Sequence, residues 1–152
     1  MVTRSASGDS EELIDSVVEA FDGNDISTLN NYISNPQVAV VTLTITEAGY
    51  NLTSDGMISK LLNALEIRFE KGAAPIAVVT CDNLAQNGAK VRQLFRDLAA
   101  DRSEVFRNYL NEKVSVVSTS VDRITPKSDL ANTVITEPYS AWILQGEFPA
   151  LS

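Results

Sequence analysis

The apolar positions along this chain change period several times, and each change marks an element. Residues 11–21 carry Leu13, Ile14, Val17, Val18 and Phe21 at helical spacing, with Asp9 set to cap and Glu12 three residues on, so a first helix is expected there. A short second helix follows, with Asp25 as its cap and Ile26, Leu29 and Ile33 on one face, until "NPQ" at 35–37 breaks it. The β-branched run "VAVVTLTI", 38–45, has the pattern of a strand buried on both faces of a parallel sheet.

The alternation continues. "NLTSDG" at 51–56 reads as a turn, and Ile58, Leu61, Leu62, Leu65 and Phe69 form the stripe of a helix ending near Gly72. A strand, "PIAVVTC", begins after Pro75. A helix over about 88–101 should bury Val91, Leu94, Phe95 and Leu98, and Ser103 should cap another holding Val105, Phe106, Tyr109 and Leu110. The third strand is "VSVVSTSV", 114–121. A turn containing Pro126, an extended piece near 133–136 and a helix opened by Pro138 at its first position complete the pattern. Strands alternating with helices in this way predict an α/β fold, with crossover units feeding a parallel sheet flanked by helices. Ligands of such sheets collect at the carboxyl ends of the strands. Thr46, Glu47, Asp82, Asn83, Asp122 and Arg123 should therefore share one rim.

Charge and composition narrow the function. Twenty acidic against twelve basic side chains give a net charge of -8, which repels phosphate backbones and anionic lipid alike, so neither nucleic acid nor membrane is expected as a partner. No apolar run approaches the ~18 residues of a membrane span, and the single cysteine forms no intramolecular disulfide; the chain reads as cytoplasmic. Histidine is absent, which removes a histidine-based triad and the usual histidine-rich metal site, and one cysteine cannot supply a thiolate set instead. Neither G-x-G-x-x-G nor G-x-x-x-x-G-K occurs. Chemistry is left to carboxylates, amides, hydroxyls and lysines.

Among those, Asn83 stands out because an amide held at a strand tip can donate to an oxygen that is gaining negative charge. Spacing alone favours a plainer role, since Asp and Asn routinely shape turns and cap helices. Asp122 meets the same alternative, pairing with the adjacent Arg123, and Glu47 reads more readily as a solvated carboxylate than as a general base. Cys81 reads as a small apolar residue, and Lys60 and Asn63 as parts of an amphipathic helix.

Four segments in order, "VTLTITEAGYN", "AVVTCDNLAQNGAKVRQLF", "STSVDRITP" and "TEPYSAWIL", resemble the polyol-specific long-chain dehydrogenases, that is, mannitol dehydrogenase, fructuronate reductase and their relatives. The resemblance covers most of residues 38–144. It implies a zinc-independent enzyme with a Rossmann-type nucleotide domain followed by a helical substrate domain. On that basis residues 1–144 are expected to be the second half of the NAD-binding domain, with 145–152 starting the linker onward. The family's Gly-rich turn would precede residue 1 and its K-x4-N-x2-H helix would follow residue 152, so a fragment, inactive alone, is expected.

The resemblance also assigns roles. Asn83 matches the asparagine that helps bind the reacting oxygen, Asp122 an aspartate bordering the polyol site, and Thr46 and Glu47 the strand tip beside the nicotinamide. The implied reaction is hydride transfer between a sugar alcohol and NAD, with NADP open, and a lysine of the other domain as general base. Mannitol, fructuronate, tagaturonate and a phosphorylated hexitol all stay open as substrates, the last through a mannitol-1-phosphate 5-dehydrogenase-type activity. A non-catalytic Rossmann-like binding or assembly module is the other alternative, and self-association through exposed sheet surface is expected. An independent flavodoxin-like domain is disfavoured, because only three strands are firm where about five are needed.

Overall fold

A computed structural model describes residues 1–72 and 74–149. The chain opens with two short strands, β1 (Val2–Thr3) and β2 (Ser10–Glu11), then α1 (Ile26–Ser34), β3 (Val40–Leu43), α2 (Met57–Glu70), β4 (Ile76–Thr80), α3 (Asn87–Leu98), α4 (Glu104–Glu112) and β5 (Val114–Asp122). It continues with β6 (Ile135–Thr136) and β7 (Ala141–Gln145). The main sheet has the order β3-β4-β5-β7: the first three strands are parallel and β7 runs antiparallel along β5, from Ser118↔Gln145 to Asp122↔Ala141. A small second sheet joins β2, β1 and β6.

The helices begin and end for local reasons. Asp25 caps α1 by accepting from the Thr28 backbone N–H at 3.0 Å, and Ser103 caps α4 by accepting from that of Phe106 at 3.3 Å, each satisfying an otherwise unpaired first-turn donor. Beyond α2, Gly72 takes φ +65°, the left-handed conformation that lets the chain turn away without a Cβ clash. The inner face of α2 then buries Ile58, Leu61, Leu62 and Leu65 against Val91 and Phe95 of α3, Phe106 of α4, and Ile76, Val78, Val114 and Val116 of the sheet. Each such aliphatic side chain stabilises the fold by roughly 1.5–3 kcal/mol.

Arg68 of α2 lies fully within this core and has no exposed surface. Its guanidinium donates to the carbonyls of Ile33 and Asn35 at 2.7 and 2.8 Å and to that of Ala74 at 2.7–2.9 Å. The side chain thus satisfies the last carbonyls of α1 and pins that helix to the start of β4, where a cation also suits the negative helix end.

Four sequence expectations change. Residues 12–22 form no helix and are exposed throughout, Leu13 at 87% and Val18 at 93%. The segment packs Phe21 on Tyr32, ring centroids 5.7 Å apart, which is too little surface to stabilise a short helix. Asp9, expected as its cap, instead pairs with Arg4 at 3.7 Å. The stretch after Pro138 is strand β7, so the sheet is mixed and not wholly parallel. The 38–45 run is an edge strand with one exposed face, where Val40 and Thr42 point outward while Leu43 is buried. On α4, Val105 is likewise exposed, and the buried stripe is Phe106, Tyr109 and Leu110. No helix among the described residues is long and apolar enough to cross a membrane.

Candidate active site at the carboxyl ends of the strands

The three parallel strands deliver their polar tips to one edge. Backbone pairing between β4 and β5 stops at Val79↔Val117, and beyond it side chains take over the connection. Asn87, with no exposed surface at the start of α3, donates from Nδ2 to the Thr119 carbonyl at 2.9 Å and accepts at Oδ1 from the Thr119 N–H at 3.0 Å. The same amide reaches the Asp82 carbonyl and Oδ1, both at 3.0 Å, and accepts from Gly88 N–H at 2.9 Å. Thr119 Oγ1 donates to the Thr80 carbonyl, and Thr80 Oγ1 to that of Val117 at 3.1 Å. Every polar atom of the Asn87 amide is paired, as burial demands.

Gly88 makes this contact possible. A Cβ on it would lie 2.6 Å from Ser118 Oγ and 2.7 Å from Ser118 N, so any larger residue would push α3 off β5.

Asp82 holds the turn together. Its Oδ1 accepts from Leu84 N–H and from Asn87, and its Oδ2 accepts from the Tyr50 hydroxyl. Burial, and then this hydrogen bond, push the Tyr50 phenol well above its ordinary range, which keeps the hydroxyl protonated as a donor. Cys81 next door is pushed up by burial and by the Asp82 charge, which disfavours its reactive thiolate.

Asn83 is placed differently. It is exposed, and its Oδ1 accepts from the Val121 N–H at 3.0 Å, two residues beyond the Thr119 contact on β5. A backbone N–H can only donate, so this bond fixes the oxygen end of the amide and leaves Nδ2 as the uncommitted end. A groove of about 530 Å³ lies beside it, lined by Asn83, Gln86, Asn87, Thr119, Ser120 and Ile143 among others.

The remaining tip residues lie around this edge. Thr46 and Glu47 are exposed at the end of β3, where Thr46 carbonyl accepts from Gly49 N–H at 2.8 Å and Glu47 opens a single 3-10 turn, Glu47–Gly49. Glu47, Tyr50, Leu84 and Lys90 border a second recess of about 450 Å³. Asp122 is the exposed last residue of β5. Arg123 does not pair with it: its Nε donates to Thr136 Oγ1 at 2.7 Å. Among the described residues no group of three or more His, Cys, Asp or Glu side chains is placed to hold a metal ion.

Sequence reasoning put the rim in the right place but missed Asn87, Tyr50 and Thr119. The available signal was the Asn-Gly pair opening a helix straight after a strand tip, where a glycine marks close backbone approach.

A mostly parallel sheet flanked by helices, with polar tips at the carboxyl ends of its parallel strands, is a Rossmann-type α/β architecture. The chain belongs to the mannitol dehydrogenase Rossmann domain family, whose model matches residues 1–151. It is 27% identical to mannitol 2-dehydrogenase of Emericella nidulans, with 97% of this chain and 37% of that one covered. It is 28% identical to mannitol 2-dehydrogenase of Cereibacter sphaeroides, with 83% and 34% covered. The chain therefore spans about a third of the length of these relatives. The fold also superposes on the Pseudomonas fluorescens mannitol 2-dehydrogenase ternary complex with NAD and D-mannitol, with a TM-score of 0.69, 26% identity and coverage of 80% of this chain and 32% of that one.

Proposed function

We infer that this chain is the second half of the nucleotide domain of an NAD-dependent polyol dehydrogenase. On this reading residues 1–144 belong to that half and 145–152 begin the linker to a helical substrate domain, of which 150–152 lie outside the described residues. The enzyme interconverts a sugar alcohol and its carbonyl form, and NAD supplies the hydride acceptor. The observation that carries this reading is the Asn83 amide, locked at its oxygen end by Val121 and open at Nδ2 beside a groove. A donor fixed before the substrate arrives stabilises developing negative charge without reorganising.

Each remaining tip residue has a part. Asn83 Nδ2 donates to the reacting oxygen, and the Asp122 carboxylate accepts from polyol hydroxyls. Thr46 and Glu47 would hold the nicotinamide end of NAD: both are exposed, and neither side chain has a hydrogen-bond partner among the described residues. Leu84 offers an apolar wall nearby. The sequence has no Gly-rich turn for the pyrophosphate, so that end belongs outside these residues. A lysine of the substrate domain acts as general base. A cytoplasmic location belongs to the same reading.

The test uses the complete gene product and a mannitol oxidation assay coupled to nicotinamide reduction. Asn83→Ala should lower kcat by on the order of 10² to 10³, the usual loss for one oxyanion donor, with less effect on KM. An unchanged kcat in a folded variant would return Asn83 to the role of a turn residue.

A further inference from the structure

Helices α3 and α4 leave between them a cleft of about 320 Å³, which falls at the lower end of small-molecule sites, roughly 300–1,000 Å³. It shares no lining residue with the groove beside Asn83. Its floor is apolar, made by Phe95, Ala99, Leu110 and Val116, each no more than 9% exposed. Its walls are cationic: Arg92 and Arg96 stand one turn apart on α3, and Arg107 faces the cleft from α4. Three arginines meet one carboxylate, Glu104, in a chain whose net charge is -8.

An anion entering the cleft would meet three positive charges at once. The protein does not supply one, since none of the three arginines forms an ion pair among the described residues. Two are tethered by a single nitrogen. Arg107 Nη1 donates to the carbonyls of Ala100 and Arg102, both at 2.9 Å, and Arg92 Nη2 to that of Val116 at 3.3 Å. Their other N–H groups are then held ready, and a pre-positioned guanidinium loses little freedom on binding. The helix dipole accounts for Arg96 in the last turn of α3. Arg107 also serves that end, through the carbonyls just beyond α3, whereas Arg92 in the middle of the helix is not accounted for in this way.

We propose that the cleft between α3 and α4 binds a small organic anion, an oxyanion head on a compact apolar body. The arginines take the head by charge-assisted hydrogen bonds, and the Phe95–Leu110 floor takes the body.

Phenyl phosphate is the probe, titrated into the full 152-residue chain and followed by calorimetry and by arginine Nε–H resonances. Benzoate tests a carboxylate head, inorganic phosphate lacks the apolar body, and benzyl alcohol lacks the charge. Saturable binding of phenyl phosphate or benzoate is expected, about tenfold tighter than inorganic phosphate, with none for benzyl alcohol. Arg96→Gln and Arg92→Gln should each weaken it about tenfold. Arg107→Gln also removes bonds to the turn before α4, so the other two variants carry the test if it misfolds. The proposal is overturned by a lack of saturable phenyl phosphate binding up to about 10 mM, by unchanged affinity in the folded Arg92→Gln, Arg96→Gln double variant, or by inorganic phosphate binding as tightly as phenyl phosphate. A rise in molecular mass that these substitutions abolish would also overturn it, by showing the cleft to be filled by a second copy.

Discussion

Asn87 holds Thr119 by both ends of its peptide neighbourhood, donating to the carbonyl at 2.9 Å and accepting from the N–H at 3.0 Å. A side-chain amide there does what the next residue of β4 would do if the ladder continued past Val79↔Val117. Two residues on, Asn83 repeats half of the device with Val121. The β4 tip can therefore leave the sheet and open a groove while β5 stays ordered beside it. The turn that carries the candidate donor Asn83 is thus built on Asn87, Asp82 and Tyr50.

Asn87→Leu is expected to destabilise the domain by more than about 3 kcal/mol, because several buried groups lose their partner and each unsatisfied one costs roughly 1–3 kcal/mol. Denaturant unfolding of the variant measures it. A loss under about 1 kcal/mol would mean that water or rearrangement replaces the amide easily.

Asp122→Ala separates substrate contact from architecture. The carboxylate is exposed and Arg123 is committed to Thr136, so the melting temperature should hardly move, as for surface substitutions in general. In the complete enzyme kcat/KM for the polyol should fall about tenfold or more, from loss of bonds to a charged acceptor worth ~1.5–3 kcal/mol, with NAD affinity unchanged. A variant that loses only thermal stability removes Asp122 from the site.

Tyr50 gives the fold a pH limit. Its pKa in the folded state lies above the unfolded value, chiefly through burial and then through Asp82. The unfolded chain therefore releases this proton first, so the stabilisation is complete below about pH 10 and is lost as pH rises beyond it toward the folded value. Tyr50→Phe should flatten the fall in melting temperature above about pH 10. The same steep fall in both proteins would assign the alkaline limit elsewhere, with Tyr109, also raised mainly by burial, the next group to replace.

The 152-residue chain on its own should neither bind NAD tightly nor oxidise polyols, since it contains no Gly-rich phosphate turn. It should also self-associate, because Leu13, Val17, Val18, Trp142 and Ile143 are all more than half exposed. Calorimetry with NAD and light scattering on one preparation examine both points. Micromolar NAD affinity, or a monodisperse monomer that ignores a hydrophobic dye, contradicts the corresponding expectation.

Local sequence determined those elements whose signals are themselves local. The periods of α2, α3 and α4, the caps Asp25 and Ser103, and the β-branched cores of β4 and β5 were all legible, because each depends on residues a few positions apart. The polar strand tips were legible for the same reason, and with them the position of Asn83. Tertiary structure decided whatever depends on a surface supplied from elsewhere. Residues 12–22 have helical periodicity but little beyond the Phe21–Tyr32 contact to bury it against, and 141–145 became a strand because β5 offered an open edge. The site's framework falls in the same class: Asn87 meets Thr119 thirty-two residues away, and Tyr50 meets Asp82 at the same separation. A side-chain amide standing in for a strand leaves no periodic trace, since its partner is chosen by how β4 and β5 align and not by the residues beside it.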